Sequence, residues 1–299
     1  MFDELYGVLK TQDVEIFENY PISRLSSIRI GGRVSLLLRP GTAYAFVCAV
    51  DSVRTLGLRY KIIGGMTNIL PSDADYDGVF ISTLRLNDYT TEGNILHVSS
   101  GARLCSLARH LSGLGLGGYE ELVGIPGSIG GLVVSNAGAF GKEISDILLS
   151  VTLYFPEEKI IRRLYASELD FSYRQSNITE LGAIILNAEL SLKSEAPDSV
   201  KKKILYYKRK REETQPIGKP SLGSIFKRPQ GDYAARLIDA CGLRGTRLGG
   251  AEISSKHAGF IVNNGGATSM QVKLLCELCE QRVFDRFGIT LEREIEILN

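Results

Sequence analysis

From Gly124 to Gly141 the chain reads GIPGSIGGLVVSNAGAFG, with six glycines and Pro126 in one short stretch. Glycine allows the backbone to turn at positive φ and lets another group approach without a Cβ in the way. Successive N–H groups exposed in such a loop form a concave anion nest suited to a pyrophosphate. The competing reading is an ordinary hairpin with a buried return strand through Leu132–Val134. A second loop of similar kind lies far upstream, running IGGMTNIL from Ile63 to Leu70. Two separate loops of this sort point to one long nucleotide cofactor rather than a single phosphate.

A chain of 299 residues is long enough for two or three units with sizeable cores. Its net charge of +1 argues against a dedicated nucleic-acid surface. Five scattered cysteines, an odd number, do not make a disulfide framework. The opening MFDELYGVLK carries acids before any apolar run, unlike a signal peptide. No apolar segment has the length of a membrane span. The expectation is a cytoplasmic protein.

In chain order, Ser26–Gly32 (SSIRIGG) and Val34–Leu38 read as a strand, a glycine turn and another strand. Thr42 caps a helix that stops near Gly57, and Leu58–Ile63 is a strand feeding the upstream glycine loop. Asp77-Gly78 is a turn before the strand Val79–Ser82. Ile95–Ser99 opens a second unit, whose helix Leu104–Leu114 ends at Gly115. Strands follow at Leu148–Phe155, Lys159–Leu164 and Ala183–Leu192. Asp198–Glu213 is a basic helix, read as a solvated face bordering a domain junction rather than a nucleic-acid surface. Pro216, Gly218 and Pro220 mark a boundary. The final unit has helices over Asp232–Cys241 and Ser269–Phe287, with strands at Gly259–Val262 and Leu291–Ile297.

Several side chains are candidates for chemistry. Ser224, after Gly223, can donate a proton or cap a turn, and no GxSxG elbow surrounds it. Arg174 can clamp a carboxylate or phosphate through its planar fork, or be an exposed strand-end arginine. Strand parity places Glu292, Glu294 and Glu296 on one face, without saying which of them faces a cleft. Cys276 and Cys279 form a CxxC with no second pair, so they read as small buried residues rather than zinc ligands. His97, His110 and His257 show no metal spacing, and His257 reads as a structural histidine.

Taken together, SSIRIGG, IGGMTNIL, GIPGSIGGLVVSNAGAFG, FSYRQS, SLGSIFKRP, KHAGFIVN and LEREIEI occur in an order that resembles the UDP-N-acetylenolpyruvoylglucosamine reductases. The match runs from about Asn19 to the C-terminus and is most similar to the family's short form. The resemblance implies an α+β chain, with a two-part FAD-binding fold of the vanillyl-alcohol-oxidase/PCMH type and a C-terminal α+β substrate domain. The boundaries it suggests are 1–88 and 89–197 for the FAD-binding subdomains and 198–299 for the substrate domain.

It further implies that FAD meets Gly64, Gly65, Thr67, Asn68 and Ile69 of the upstream loop. On the other loop it meets Gly124, Ile125, Pro126, Gly127, Ser128, Gly130, Gly131, Asn136 and Gly138. NADPH is the implied co-substrate and UDP-N-acetylglucosamine enolpyruvate the small-molecule substrate, with no metal. By motif position the catalytic residues are Arg174, Ser224 and Glu294, and the substrate contacts Tyr173 and Lys227. Three positions depart from the family pattern, one of them Arg228, which stands where some members have asparagine. Met66 and Thr67 stand where glycine and serine are usual, and Met66 adds bulk where backbone is expected to approach the cofactor.

Overall fold

A computed structural model describes residues 2–298. It divides into two compact units. The first takes the chain up to Glu18, then Leu36–Gly65 and Gly78–Arg209; the second takes Asn19–Ser35, Met66–Asp77 and the chain from Lys210. The upstream glycine loop is therefore divided, with Gly64 and Gly65 in the first unit and Met66 onward in the second.

The first unit has two apolar cores. One packs helices α1 (Asp3–Leu9) and α2 (Ala43–Thr55) through Leu5, Leu9, Phe46 and Val50 onto Leu36, Leu38, Val79 and Ile81. Thr42 caps α2 as expected, its Oγ1 accepting the Ala45 N–H at 3.1 Å, and Gly57 follows the helix at φ +63°. Asp77-Gly78 lies inside the strand Tyr76–Ser82 rather than in a turn before it. That strand is buried from Gly78 onward on both faces, and burial outweighs the local turn preference.

The other core lies against a five-stranded antiparallel sheet ordered Ile160–Tyr165, Leu148–Phe155, Ile184–Ser191, Ile95–Ser99, Tyr89–Glu92. Alternate residues Leu96, Val98, Val151, Leu153, Ala188 and Leu190 join this core, as the two-residue period requires. Helices α3 (Leu104–Gly113) and α4 (Ile129–Val134) supply Leu107, Leu111, Ile129, Leu132 and Val133 to the same cluster. The return-strand reading of Leu132–Val134 is thus replaced by a short helix. Ser128 starts it by accepting the Gly131 N–H at 3.4 Å. Helix α5 (Pro197–Thr214) buries Val200 and exposes Lys201, Lys202, Lys203, Lys208 and Lys210, the solvated face read from its charges.

In the second unit, helices α6 (Ala234–Ala240) and α7 (Ser269–Phe287) share a core with Leu222, Ile253 and Ile261 of a four-stranded sheet. Ile28, Ile30 and Leu70 complete that core. Ser26–Gly32 is therefore not a strand. Arg29 at φ +59° and Gly31 at φ +125° bend it so that both isoleucines point into the C-terminal core. Met66 takes φ +45°, a region glycine occupies more cheaply, and is 3 % exposed. The Asp73 carboxylate accepts the N–H groups of Ser269 (2.7 Å) and Met270 (3.1 Å), fastening this early segment to the start of α7.

The last strand is shorter than expected, Glu296–Leu298 rather than Leu291–Ile297. The chain changes partners at Ile295. Before it, the Glu294 N–H donates to the Ile225 carbonyl and the Lys227 N–H to the Glu292 carbonyl, each at 2.8 Å. After it, Glu296–Leu298 runs parallel to Ile69–Pro71. Cys276 and Cys279 are buried in α7, and burial pushes the Cys276 thiol up to about 12 and the Cys279 thiol higher still.

His257 accepts the Gly259 N–H on Nδ1 at 3.2 Å, with its ring edge-on to Phe260. Burial, helped by Arg244, lowers its pKa, so the fold prefers the neutral ring. The resulting stability is complete above the ordinary histidine value of about 6.5 and is lost as pH falls through the lowered folded value. Urea midpoints of wild type and His257→Gln should diverge on acidification, the wild type losing more; parallel curves would contradict this. In the first unit a Cβ on Gly64 would lie 2.4 Å from Ser128 Oγ. Gly64→Ala should cost about 1 kcal/mol or more, because Ser128 must rotate out of its capping bond. In a Ser128→Ala background the same change should cost little, and an equal cost there would refute the contact.

Candidate active site

Arg174 sits at the tip of a small hairpin whose arms, Phe171–Ser172 and Gln175–Ser176, pair antiparallel. Its backbone is left-handed, φ +60°, which for a residue other than glycine costs about 1–2 kcal/mol. Such strain persists where surrounding contacts hold it, and it clusters at functional positions. Here the Nη2 group donates to the Gly138 carbonyl at 2.8 Å, and Nη1 lies 3.8 Å from Glu143 Oε1. The guanidinium also stands over the Tyr173 ring, 4.8 Å from its centroid. The Arg174 side chain is 19 % exposed, so these contacts are only partly screened by water.

Gly138 and Glu143 face each other in the two-stranded ribbon Gly138–Ala139 and Lys142–Glu143. Asn136, just before it, is 1 % exposed at φ +40°. Its Nδ2 donates to Glu143 Oε2 (2.7 Å) and the Ser172 carbonyl (2.9 Å), and its Oδ1 accepts the Ser145 N–H (3.3 Å). The Asn136 amide thus ties three protein segments together. Glu143 was not singled out from the sequence. Its one visible signal is the Glu143–Asp146 spacing of a capping box, and the Glu143 N–H does donate to Asp146 Oδ2 at 2.8 Å.

The second unit gathers another group. The 2.8 Å bonds described above set Ser224–Lys227 beside Glu292–Glu294. Ser224 ends the strand Ser221–Ser224, and its Oγ donates to the Phe226 carbonyl at 3.2 Å. The Lys227 ammonium is bonded to Glu292 Oε1. Glu292 and Glu296 are exposed whereas Glu294 is half-buried, a distinction that parity alone could not make. Asn68 belongs here too, its Nδ2 donating to the Glu294 carbonyl at 3.0 Å and its own carbonyl accepting the Glu296 N–H at 2.9 Å.

In the first unit the two glycine stretches converge where Gly64 approaches Ser128. Gly127 takes φ +129°, open to glycine alone, which exposes backbone in the turn before α4. Gly130 packs on Ser100, and the Ser100 hydroxyl is buried without a hydrogen-bond partner among the described residues. A Cβ-free cradle beside an unsatisfied hydroxyl suits the pyrophosphate and sugar oxygens of a dinucleotide such as FAD. Not every glycine serves this surface. A Cβ on Gly138 would lie 2.6 Å from the Lys142 carbonyl oxygen, so its small size is needed by the ribbon itself. Among the described residues no cluster of three or more His, Cys, Asp or Glu is placed to hold a metal ion. No helix among them is long and apolar enough to cross a membrane.

Residues 34–163 match the family model of an FAD binding domain. Residues 215–298 match that of the UDP-N-acetylenolpyruvoylglucosamine reductase C-terminal domain. A UDP-N-acetylenolpyruvoylglucosamine reductase of Thermotoga sp. (strain RQ2) is 41% identical, covering 99% of this chain and 97% of the relative. One of Caldicellulosiruptor saccharolyticus is 36% identical, over 97% of this chain and 94% of the relative. Among solved structures, the Thermus caldophilus reductase of that name superposes with a TM-score of 0.81 at 30% identity, covering 96% of this chain and 99% of its own. With its α+β fold, its FAD-binding domain and relatives of this closeness along nearly its whole length, the chain belongs to the UDP-N-acetylenolpyruvoylglucosamine reductase family.

Proposed function

We propose that the protein reduces UDP-N-acetylglucosamine enolpyruvate to UDP-N-acetylmuramate for peptidoglycan precursor synthesis, with FAD bound and NADPH as co-substrate. The observation that carries this reading is Arg174, kept in a costly left-handed turn while its guanidinium is braced by Gly138, Glu143 and Tyr173. An arginine held this way suits a substrate carboxylate that gains charge during reaction. FAD, when bound, supplies the hydride that no side chain can donate.

The remaining work falls to this chain's own residues. Arg174, paired in role with Glu294, binds the carboxylate and stabilises the enolate charge that develops on it. Ser224 gives its Oγ proton to the carbon beside the carboxylate, which requires Oγ–H to turn from the Phe226 carbonyl toward substrate. A neutral serine is a weak acid in water, and alignment with exclusion of water makes the transfer feasible. Lys227 exchanges its bond to Glu292 for a substrate phosphate or carboxylate, and Tyr173 lines the approach. The glycine stretches hold FAD through Gly64, Gly65, Thr67, Asn68 and Ile69, and through residues 124–138. Asn136 and Gly138 act there mainly by shaping the loop, given the bonds they make within the chain.

A division into FAD-binding parts 1–88 and 89–197 and a substrate part 198–299 goes with this reading. It draws support from three separate apolar cores, with residues 19–35 and 66–77 lent to the C-terminal part. A substrate and a co-substrate that are both small soluble nucleotides support a cytoplasmic location.

Ser224→Ala separates the steps. Its flavin should still be reduced by NADPH at close to the wild-type rate, whereas reoxidation by the enolpyruvyl substrate should slow by about 100-fold or more, the usual scale of a lost general acid. Stopped-flow absorbance resolves the two half-reactions, and wild-type reoxidation by the variant would remove Ser224 from the mechanism.

A further inference from the structure

We infer that Glu143 is a positioning residue that sets the orientation of the Arg174 guanidinium for the oxidative half-reaction, an inference resting on the role given to Arg174 above. Arg174 does not reach its place by local preference, since its backbone is left-handed and its side chain is long and flexible. Two groups of one ribbon stand against the fork, an accepting carbonyl and a carboxylate in ion-pair range. The Gly138 carbonyl takes Nη2 at 2.8 Å, and Glu143 Oε1 lies 3.8 Å from Nη1. These two residues are ribbon partners, and a Cβ on Gly138 would fall 2.8 Å from Glu143 Cγ, so the glycine leaves room for the glutamate to fold back.

Glu143 is itself held firmly. Its Oε2 accepts Asn136 Nδ2 at 2.7 Å, and its N–H donates to Asp146 Oδ2 at 2.8 Å. The two carboxylate oxygens are thereby divided, one toward Asn136 in the second glycine stretch and one toward the arginine. A rigid anion beside the guanidinium favours one orientation of the arginine. Its charge matters more than its bulk, because a glutamine here would turn N–H groups toward Arg174 or toward Asn136.

A double-mutant cycle in the FAD-loaded enzyme tests this, with Glu143→Gln, Arg174→Ala and the pair, both half-reactions being followed by flavin absorbance. Glu143→Gln should slow reoxidation by UDP-N-acetylglucosamine enolpyruvate by about 10–100-fold, as a misaligned catalytic group does, and leave reduction by NADPH within about twofold. In the Arg174→Ala background the same substitution should add less than about twofold, because a residue that acts through another has nothing left to position. Independent, multiplying effects would overturn the inference, as would reoxidation of Glu143→Gln at the wild-type rate or equal slowing of both half-reactions. Should Glu143→Gln fail to fold, Glu143→Ala, which removes the charge without adding N–H groups, enters the same cycle with the same outcomes. Wild-type reoxidation by Arg174→Ala alone would instead refute the role of Arg174, a result distinct from failure of the Glu143 inference.

Discussion

The bond from Arg174 Nη2 to the Gly138 carbonyl joins the strained hairpin tip to the glycine-rich stretch, and most of the first unit's site geometry follows from it. It requires Gly138 to present its carbonyl, which the two-residue ribbon with Lys142 and Glu143 arranges. Just before the ribbon lies Asn136, whose buried amide holds Glu143 and the Ser172 carbonyl on the hairpin arm. A buried amide satisfied on both ends is rigid, and losing one partner would leave the others unpaired. The same sequence that reads as a phosphate loop therefore also aims an arginine.

The second unit depends on a different constraint, the use of early chain segments to finish a late core. Ile28, Ile30 and Leu70 are buried with α6 and α7, and Asp73 caps α7 from more than a hundred residues upstream in the chain. The last residues then bind two partners in succession, first the stretch around Ile225 and next Asn68 and Ile69. Through these bonds Ser224, Lys227 and Glu294 share a framework with Asn68. The upstream loop consequently has two roles: Gly64 faces Ser128, while Asn68 organises the end of the chain.

What could be read from the sequence was what neighbouring residues decide. Thr42 and Gly57 bracket α2, and Ser269–Phe287 is the full extent of α7, because caps and apolar periods are local signals. Ile95–Ser99 and Leu148–Phe155 were equally plain from their alternation. Two of the misreadings share one cause, since each was decided by a partner distant in sequence. Ser26–Gly32 alternates like a strand, yet its isoleucines fill a core built two hundred residues later. Leu291–Ile297 alternates as well, and the switch of partners at Ile295 shortens it to three residues. For the site, motif order pointed to Arg174, Ser224 and Glu294 as candidates. Glu143 escaped notice because a lone acid after a glycine run carries no pattern beyond its capping spacing. Likewise, exposure alone distinguished Glu294 from its two neighbours in parity.

The most direct test of the whole account is the visible spectrum of the purified protein, followed through anaerobic additions. Oxidised-flavin bands are expected, bleached by NADPH and restored by UDP-N-acetylglucosamine enolpyruvate without oxygen. A colourless protein that does not take up added FAD would contradict this, as would a flavin that NADPH bleaches but the enolpyruvyl substrate leaves reduced.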